Sequence, residues 1–224
     1  MNVKLSEQNL IIATTFFLGQ QQLFDKKDED YQNMFKAYAT DNNSSTLRER
    51  VILYYLGYES YDNKLGADGL NPVTKREVEV KPKYIAYGKK GNGSAGNFND
   101  LTYDLLDKKK NQDIICGLFQ GNVLIFIVEF PMEVIYDYMK DELTRLISKN
   151  ANRKTVSFSY KEYDSPKLIL HYFNDFYAKE CLNKNHYKML RKFWTPEQRE
   201  QQEKITERHL NGQLEWNFKQ TLFN

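Results

Sequence analysis

Asp68, in Gly66-Ala67-Asp68-Gly69, precedes the run Arg76-Glu77-Val78-Glu79-Val80-Lys81, with ten residues separating it from Glu79. In an extended strand, residues two apart share a face. Glu77, Glu79 and Lys81 therefore project to one side, while Val78 and Val80 plug the other side into a core. A strand anchored behind by valines holds its charged groups rigidly, and Asp68, one hairpin away, can converge on the same end of the sheet. Two carboxylates meeting there make an oxygen-rich site for a hard cation such as Mg²⁺, with Mn²⁺ as a substitute. Such a metal neutralises charge on a phosphate and acidifies a bound water, and the adjacent lysine orients that water or stabilises developing negative charge. Phosphodiester hydrolysis needs these parts.

The surrounding pattern indicates what must hold them. Residues 3–24 have a helical apolar face, Asp25–Asp30 reads as a turn, and a short helix follows near Tyr31–Tyr38. Leu47–Tyr55 has helical spacing, with cap chemistry over Asp41–Ser45 before it and Gly57 as its stop. Lys64–Leu70 is a short strand, Asn71-Pro72 opens a turn, and Arg76–Tyr87 is a strand. Gly91–Gly96 reads as a flexible glycine-rich loop. Asn97 or Asn99 then caps a helix over Asp100–Lys110 that buries Leu101, Leu105 and Leu106. Asp113–Phe119 and Val123–Phe130 form a hairpin around Gln120-Gly121-Asn122. Beyond Pro131, Val134–Ile147 is helical, Thr155–Tyr163 a strand, and Lys167–Trp194 mostly helical. Thr195-Pro196-Glu197 opens a helix to His209. The order predicts an α/β (α+β) fold with a mixed central sheet flanked by helices.

Asp68, ten residues, then Glu79-Val80-Lys81 resembles the PD-(D/E)xK nuclease motif, whose superfamily includes many type II restriction endonucleases. Its αβββαβ core matches the order from the Leu47 helix to the Ile114–Phe130 strands, about half of the chain. The resemblance implies that Asp68 and Glu79 bind metal and that Lys81 acts on the water. Glu49, on the preceding helix, matches an acidic residue that many members place beside the metal. Ala67 stands where the family name has proline. Glu77-x-Glu79 is a rival register, resembling members that replace the lysine with glutamate, and Glu77 is a candidate accessory ligand. The expected division is a nuclease core over 1–131 with its N-terminal helices, and a mostly helical extension over 132–224 for DNA contact, dimerisation or both, the two packed as one compact unit. The expected activity is cleavage of double-stranded DNA by a homodimer, as in a type II restriction endonuclease. The alternatives are a repair or recombination nuclease acting on DNA structures or ends, and an inactive nucleic-acid-binding protein of the same fold.

Competing signals are weaker. Gly91-Asn-Gly93-Ser-Ala-Gly96 spells GxGxxG, but the strand before it is charged where a dinucleotide-binding first strand is apolar, so no organic cofactor is expected. That segment instead places Asn97 and Asn99 where they can meet DNA backbone. His171, His186 and His209 share no ligand spacing, and no GxSxG marks a nucleophile. Cys116 and Cys181 are too far apart in sequence for a zinc pattern and too few for a disulfide framework. Lys83-Tyr84 and Arg153-Lys154 are candidate phosphate contacts, Lys83 foremost because it continues the catalytic strand. Thirty-two basic and thirty acidic residues leave a charge of +2, so a DNA enzyme must sort its charges onto separate faces. The longest apolar run, Val123–Val128, is far too short to span a membrane, and no signal-peptide pattern opens the chain, so a soluble cytoplasmic protein with no membrane partner is expected.

Overall fold

The computed structural model describes residues 45–61, 66–86, 88–121 and 123–200. The expected helices over 3–24 and Tyr31–Tyr38, the turn between them, and the continuation from residue 201 to His209 lie outside the described residues.

Helix α1 (Ser45–Leu56) ends at Gly57, whose φ of +69° is the left-handed conformation expected of a helix stop. Three short-to-long strands follow as an antiparallel meander: β1 (Glu59–Ser60), β2 (Gly69–Leu70) and β3 (Glu77–Ile85). The β2–β3 turn is built by Asn71, whose Oδ1 accepts the backbone N–H groups of Val73 and Thr74 at 3.0 and 3.2 Å. After β4 (Ser94–Phe98) and helix α2 (Tyr103–Lys109), the chain returns as β5 (Asp113–Gln120), parallel to β3 over its full length. β6 (Val123–Pro131) pairs antiparallel with β5 in the expected hairpin. Helix α3 (Glu133–Ser148), strand β7 (Val156–Ser159), strand β8 (Ile169–Phe173), helix α4 (Asp175–Cys181) and helix α5 (Lys184–Phe193) follow in chain order.

The central sheet is mixed, in the order β1-β2-β3-β5-β6-β8, and β4 pairs with β7 in a separate two-stranded ribbon. β5 and all of β6 except Pro131 are buried throughout, which explains the apolar runs Ile114–Phe119 and Val123–Val128. One side of the sheet packs α1 through Val51, Ile52 and Leu53 against Val78, Val80, Ile115 and Ile127. Gly117 on β5 permits that approach, because a Cβ there would sit 2.4 Å from Ile52 Cδ1. The other side packs the ribbon and α3, whose Ile135, Met139 and Leu143 recur at helical spacing and are fully buried. Burying each such side chain contributes roughly 1.5–3 kcal/mol.

Several expectations are corrected. The glycine-rich segment is not a loop over its whole length: Ser94–Phe98 forms β4, paired with β7. Neither Asn97 nor Asn99 caps the next helix. α2 starts at Tyr103, and Thr102 caps it by accepting the Leu105 N–H. Leu101 and Leu106 are buried as expected, but Leu105 is 41% exposed. Residues 169–173, expected to be helical, are a strand that pairs with β6. The 132–200 segment thus contributes a strand to the central sheet, and its Leu170, Phe173 and Trp194 share a core with Ile114 and Phe130. Thr195 caps a helical turn as expected, accepting the Gln198 N–H while the Gln198 side chain accepts the Thr195 N–H. Among the described residues, no helix is long and apolar enough to cross a membrane.

Candidate active site

β2 ends after two residues, so β3 continues past it with an edge that, among the described residues, no strand covers at that point. Asp68, immediately before β2, is held by its backbone: its N–H donates to the Val78 carbonyl and its carbonyl accepts the Tyr61 N–H, both at 2.9 Å. Its side chain then takes the place of the missing strand, with Oδ2 accepting the Val80 N–H at 2.7 Å. This short bond ties Asp68 to the residue between Glu79 and Lys81.

Glu79 faces the ribbon side of the sheet, as the two-residue alternation requires, and is only 7% exposed. Its Oε1 accepts from Lys81 Nζ and its Oε2 from Lys109 Nζ, each at 2.5 Å. Lys109 is the last residue of α2, so the helix that links β3 to β5 delivers a second ammonium to the same carboxylate. Both ammonium groups lie over the ring of Phe98, at 4.6 Å for Lys81 and 5.7 Å for Lys109. Phe98 is set by the β4–β7 ribbon and stacks on Phe158 at 6.2 Å. A Cβ at Gly96 would lie 2.8 Å from the Phe158 ring and 3.0 Å from Lys81 Cβ, so glycine lets the ribbon settle onto β3.

Charge couples these residues into one cluster. Burial raises the Asp68 carboxyl above its ordinary value, and the neighbouring Glu79 raises it further. Burial likewise raises Glu49, on α1, with Asp68 the next largest cause and Glu79 adding to it. Burial pushes Glu79 upward too, but Lys81 and Lys109 outweigh it and hold the carboxyl below the usual range. The structure therefore brings Glu49, Asp68, Glu79 and Lys81 into mutual electrostatic reach and adds Lys109.

Asp68 and Glu79 are the carboxylates of this cluster that could hold a divalent cation. The raised proton affinity of Asp68 and Glu49 is what a positive ion there would relieve. Among the described residues, no three His, Cys, Asp or Glu side chains converge as a complete metal cage. Mg²⁺ does not require one, since it is commonly held by one or two carboxylates together with substrate phosphate and water.

The remaining candidates are placed differently. Glu77 is exposed and accepts from Gln112 Nε2 at 3.1 Å, and it is not among the charges that shift Asp68 or Glu49. Lys83 follows Lys81 along the same face, half-buried, with Nζ 3.5 Å from Asn97 Oδ1. Burial lowers its amine below the ordinary lysine value. Tyr84 lies under the Arg48 guanidinium at 4.7 Å from its ring centre. Asn97 donates to Asn99 Oδ1 at 2.9 Å, and Thr155 reaches the same oxygen, making a polar outer surface on the ribbon. Arg153 is exposed, and Lys154 lies beside this region, its carbonyl accepting the Leu101 N–H. Cys116 pairs in register with Lys81 but is fully buried, and burial pushes its thiol far up, which removes it as a nucleophile.

Lys109 and Phe98 are the site residues that sequence reasoning missed. Lys109 sits in the run Lys108-Lys109-Lys110, and only its half-burial, against two exposed neighbours, distinguishes it. No known family model matches the chain, and no curated protein is similar enough to assign it to a family.

Proposed function

We propose that the chain is a Mg²⁺-dependent endonuclease that hydrolyses phosphodiester bonds in double-stranded DNA, of the PD-(D/E)xK type and acting as a homodimeric, sequence-specific restriction endonuclease. The observation that carries this is the seating of Asp68 on the Val80 N–H, which sets its carboxylate beside Glu79 and Lys81. The order of a helix, a three-strand meander, a helix and a parallel strand supports the restriction-endonuclease-like core, with β4 as an insertion. A two-fold protein suits a two-fold DNA site, which supports the dimer.

Asp68 and Glu79 would hold the metal, which when bound supplies phosphate charge neutralisation and a more acidic water. Glu49 adds negative charge behind Asp68 and strengthens the pull on a cation. Lys81, once its partner carboxylate faces a cation, is free to orient the attacking water or to meet the charge that develops on the phosphate. Lys109 keeps a positive charge beside Glu79 throughout, so the carboxylate is not left unpaired whichever contact it makes. Phe98 holds both ammonium groups within a narrow range.

Purified protein incubated with plasmid DNA should give discrete bands with Mg²⁺ and none with EDTA. A smear or loss from DNA ends would replace sequence-specific cleavage with action on DNA structures. Failure to cut any DNA with Mg²⁺ or Mn²⁺ would leave a nucleic-acid-binding protein without nuclease activity.

A further inference from the structure

Beyond Lys81, the same face of β3 leads into a cavity of about 350 Å³. Its mouth is formed by Lys90 and Asn92, which are exposed, and its floor by Cys116, Phe126, Leu182 and His186, which are buried. Lys83 and the segment Gly91–Ala95, the glycine-rich stretch that the proposed chemistry does not use, also line it.

The lining specifies a ligand with two different ends. Lys83 has no carboxylate partner among the described residues, and its ammonium makes a long hydrogen bond to Asn97. A half-buried cation without a counter-charge favours an anion beside it, and Lys90 at the mouth adds a second positive charge. Deeper in, the walls are apolar and ring-bearing, which suits a flat hydrophobic group. The His186 ring is fixed there by stacking on Tyr160 at 4.6 Å, and its Nε2 bonds the Tyr163 hydroxyl at 2.9 Å. Burial holds its imidazole down to about 3, so it is neutral, and Nδ1 has no hydrogen-bond partner among the described residues. Asn92 and Ser94 supply further polar groups near the entrance. The volume is at the small end for ligand sites, enough for one nucleotide and too little for a duplex.

We infer that this cavity receives a single unstacked nucleotide, with its phosphate at Lys83 and Lys90 and its base against Phe126, Leu182 and His186. The inference rests on the nuclease reading, because the cavity is lined by Lys83, Tyr84 and Ile85 of the strand that carries Glu79 and Lys81. A strand laid across that site would enter it one nucleotide at a time. Enzymes that take a base out of its stack bind it in pockets of this character, with apolar or aromatic walls and a few polar groups at its edge.

The test is titration of the full-length protein, in EDTA, with each of the four deoxynucleoside 5′-monophosphates, and separately with deoxyribose 5-phosphate and inorganic phosphate, followed by calorimetry. At least one mononucleotide should bind about tenfold tighter than the base-free compounds, the scale of one base-stacking contact. Gly91→Leu should abolish that preference by filling the cavity. Gly91 does not have positive φ, and a Cβ there meets nothing closer than 3.7 Å, so backbone and first side-chain carbon are accommodated. Lys83→Met should weaken all phosphate-bearing ligands and serves as a second variant if Gly91→Leu loses its thermal transition. Mononucleotides binding no tighter than phosphate, or binding that survives both substitutions, overturns the inference. Plasmid cleavage measured in parallel separates the two claims. Cleavage without nucleotide binding removes the pocket alone, while nucleotide binding without cleavage retains the pocket and removes the nuclease.

Discussion

Glu79 and Glu129 are both buried carboxylates of the central sheet, 7% and 5% exposed, and their surroundings differ in kind. Glu129, on β6, lies on the α1 side. Its Oε2 accepts from the Tyr58 hydroxyl at 2.8 Å and lies 2.6 Å from His171 Nε2. Asn71 in turn donates to the Tyr58 oxygen at 2.7 Å. That is a chain of short, fixed partners, each satisfied by the next, and it ties the β2–β3 turn to the far strands of the sheet. Glu79 is held instead by two long lysine side chains and crowds two further carboxylates whose proton affinity it raises. A buried carboxylate kept for stability has its charge answered once. The cluster at Glu79 carries repulsion that packing does not require, and such frustration is characteristic of functional sites.

The largest effect should separate the two clusters by activity. Asp68→Asn and Lys81→Ala should each lower plasmid cleavage by about a thousandfold, the scale of losing one preorganised electrostatic contact. Glu129→Leu should leave cleavage near the wild-type rate. Equal losses at all three positions would erase the distinction.

Stability should divide them the other way. Glu129→Leu strands the Tyr58 hydroxyl and the His171 ring and should cost about 1–3 kcal/mol in denaturant unfolding. Asp68→Asn, measured in EDTA, should raise the melting temperature, because it removes a carboxylate that the fold holds against its charge. A lowered melting temperature for Asp68→Asn would mean that its bond to Val80 matters more than the repulsion.

The smallest effect is in the pH dependence of that second comparison. Asp68 has a folded pKa raised above its ordinary 3.8, so its ionised form opposes folding at neutral pH. As pH falls through the raised value toward 3.8, the folded state takes up a proton first and the penalty disappears. The melting-temperature advantage of Asp68→Asn should therefore shrink over that interval. Glu79 has the opposite sign: its contribution is present above its ordinary 4.5 and is lost only as pH falls through a lowered value. A gap that stays constant with pH would detach Asp68 from the cluster.

Much of this arrangement was legible in the residues. The β5–β6 hairpin follows from two apolar runs around a turn, and Glu79 and Lys81 share a face because Val78 and Val80 alternate with them. Other parts depend on contacts that no local pattern carries. β4 contains Gly96, which sequence rules assign to a loop, and its reason for being a strand is the approach of Phe158 and Lys81. β8 is a short apolar run next to helical segments, and periodicity alone does not separate a strand from a helix at that length. Asn97 and Asn99 have cap chemistry, yet Thr102 takes the role because the strand runs on to Phe98. Lys109 is one of three consecutive lysines, and only the crossing of α2 over β3 selects it.

Gly117 lies on the opposite side of the sheet from the lysines, yet it makes room for the helix that carries Glu49. Ile52, which occupies the space that a side chain at 117 would need, is three residues from Glu49 on α1, less than one helical turn away. The seating of the helix that carries that acidic group thus uses the space of a missing methyl behind the sheet. A single added carbon there would act as a wedge against the Ile52 side chain, without altering any residue of the cluster itself.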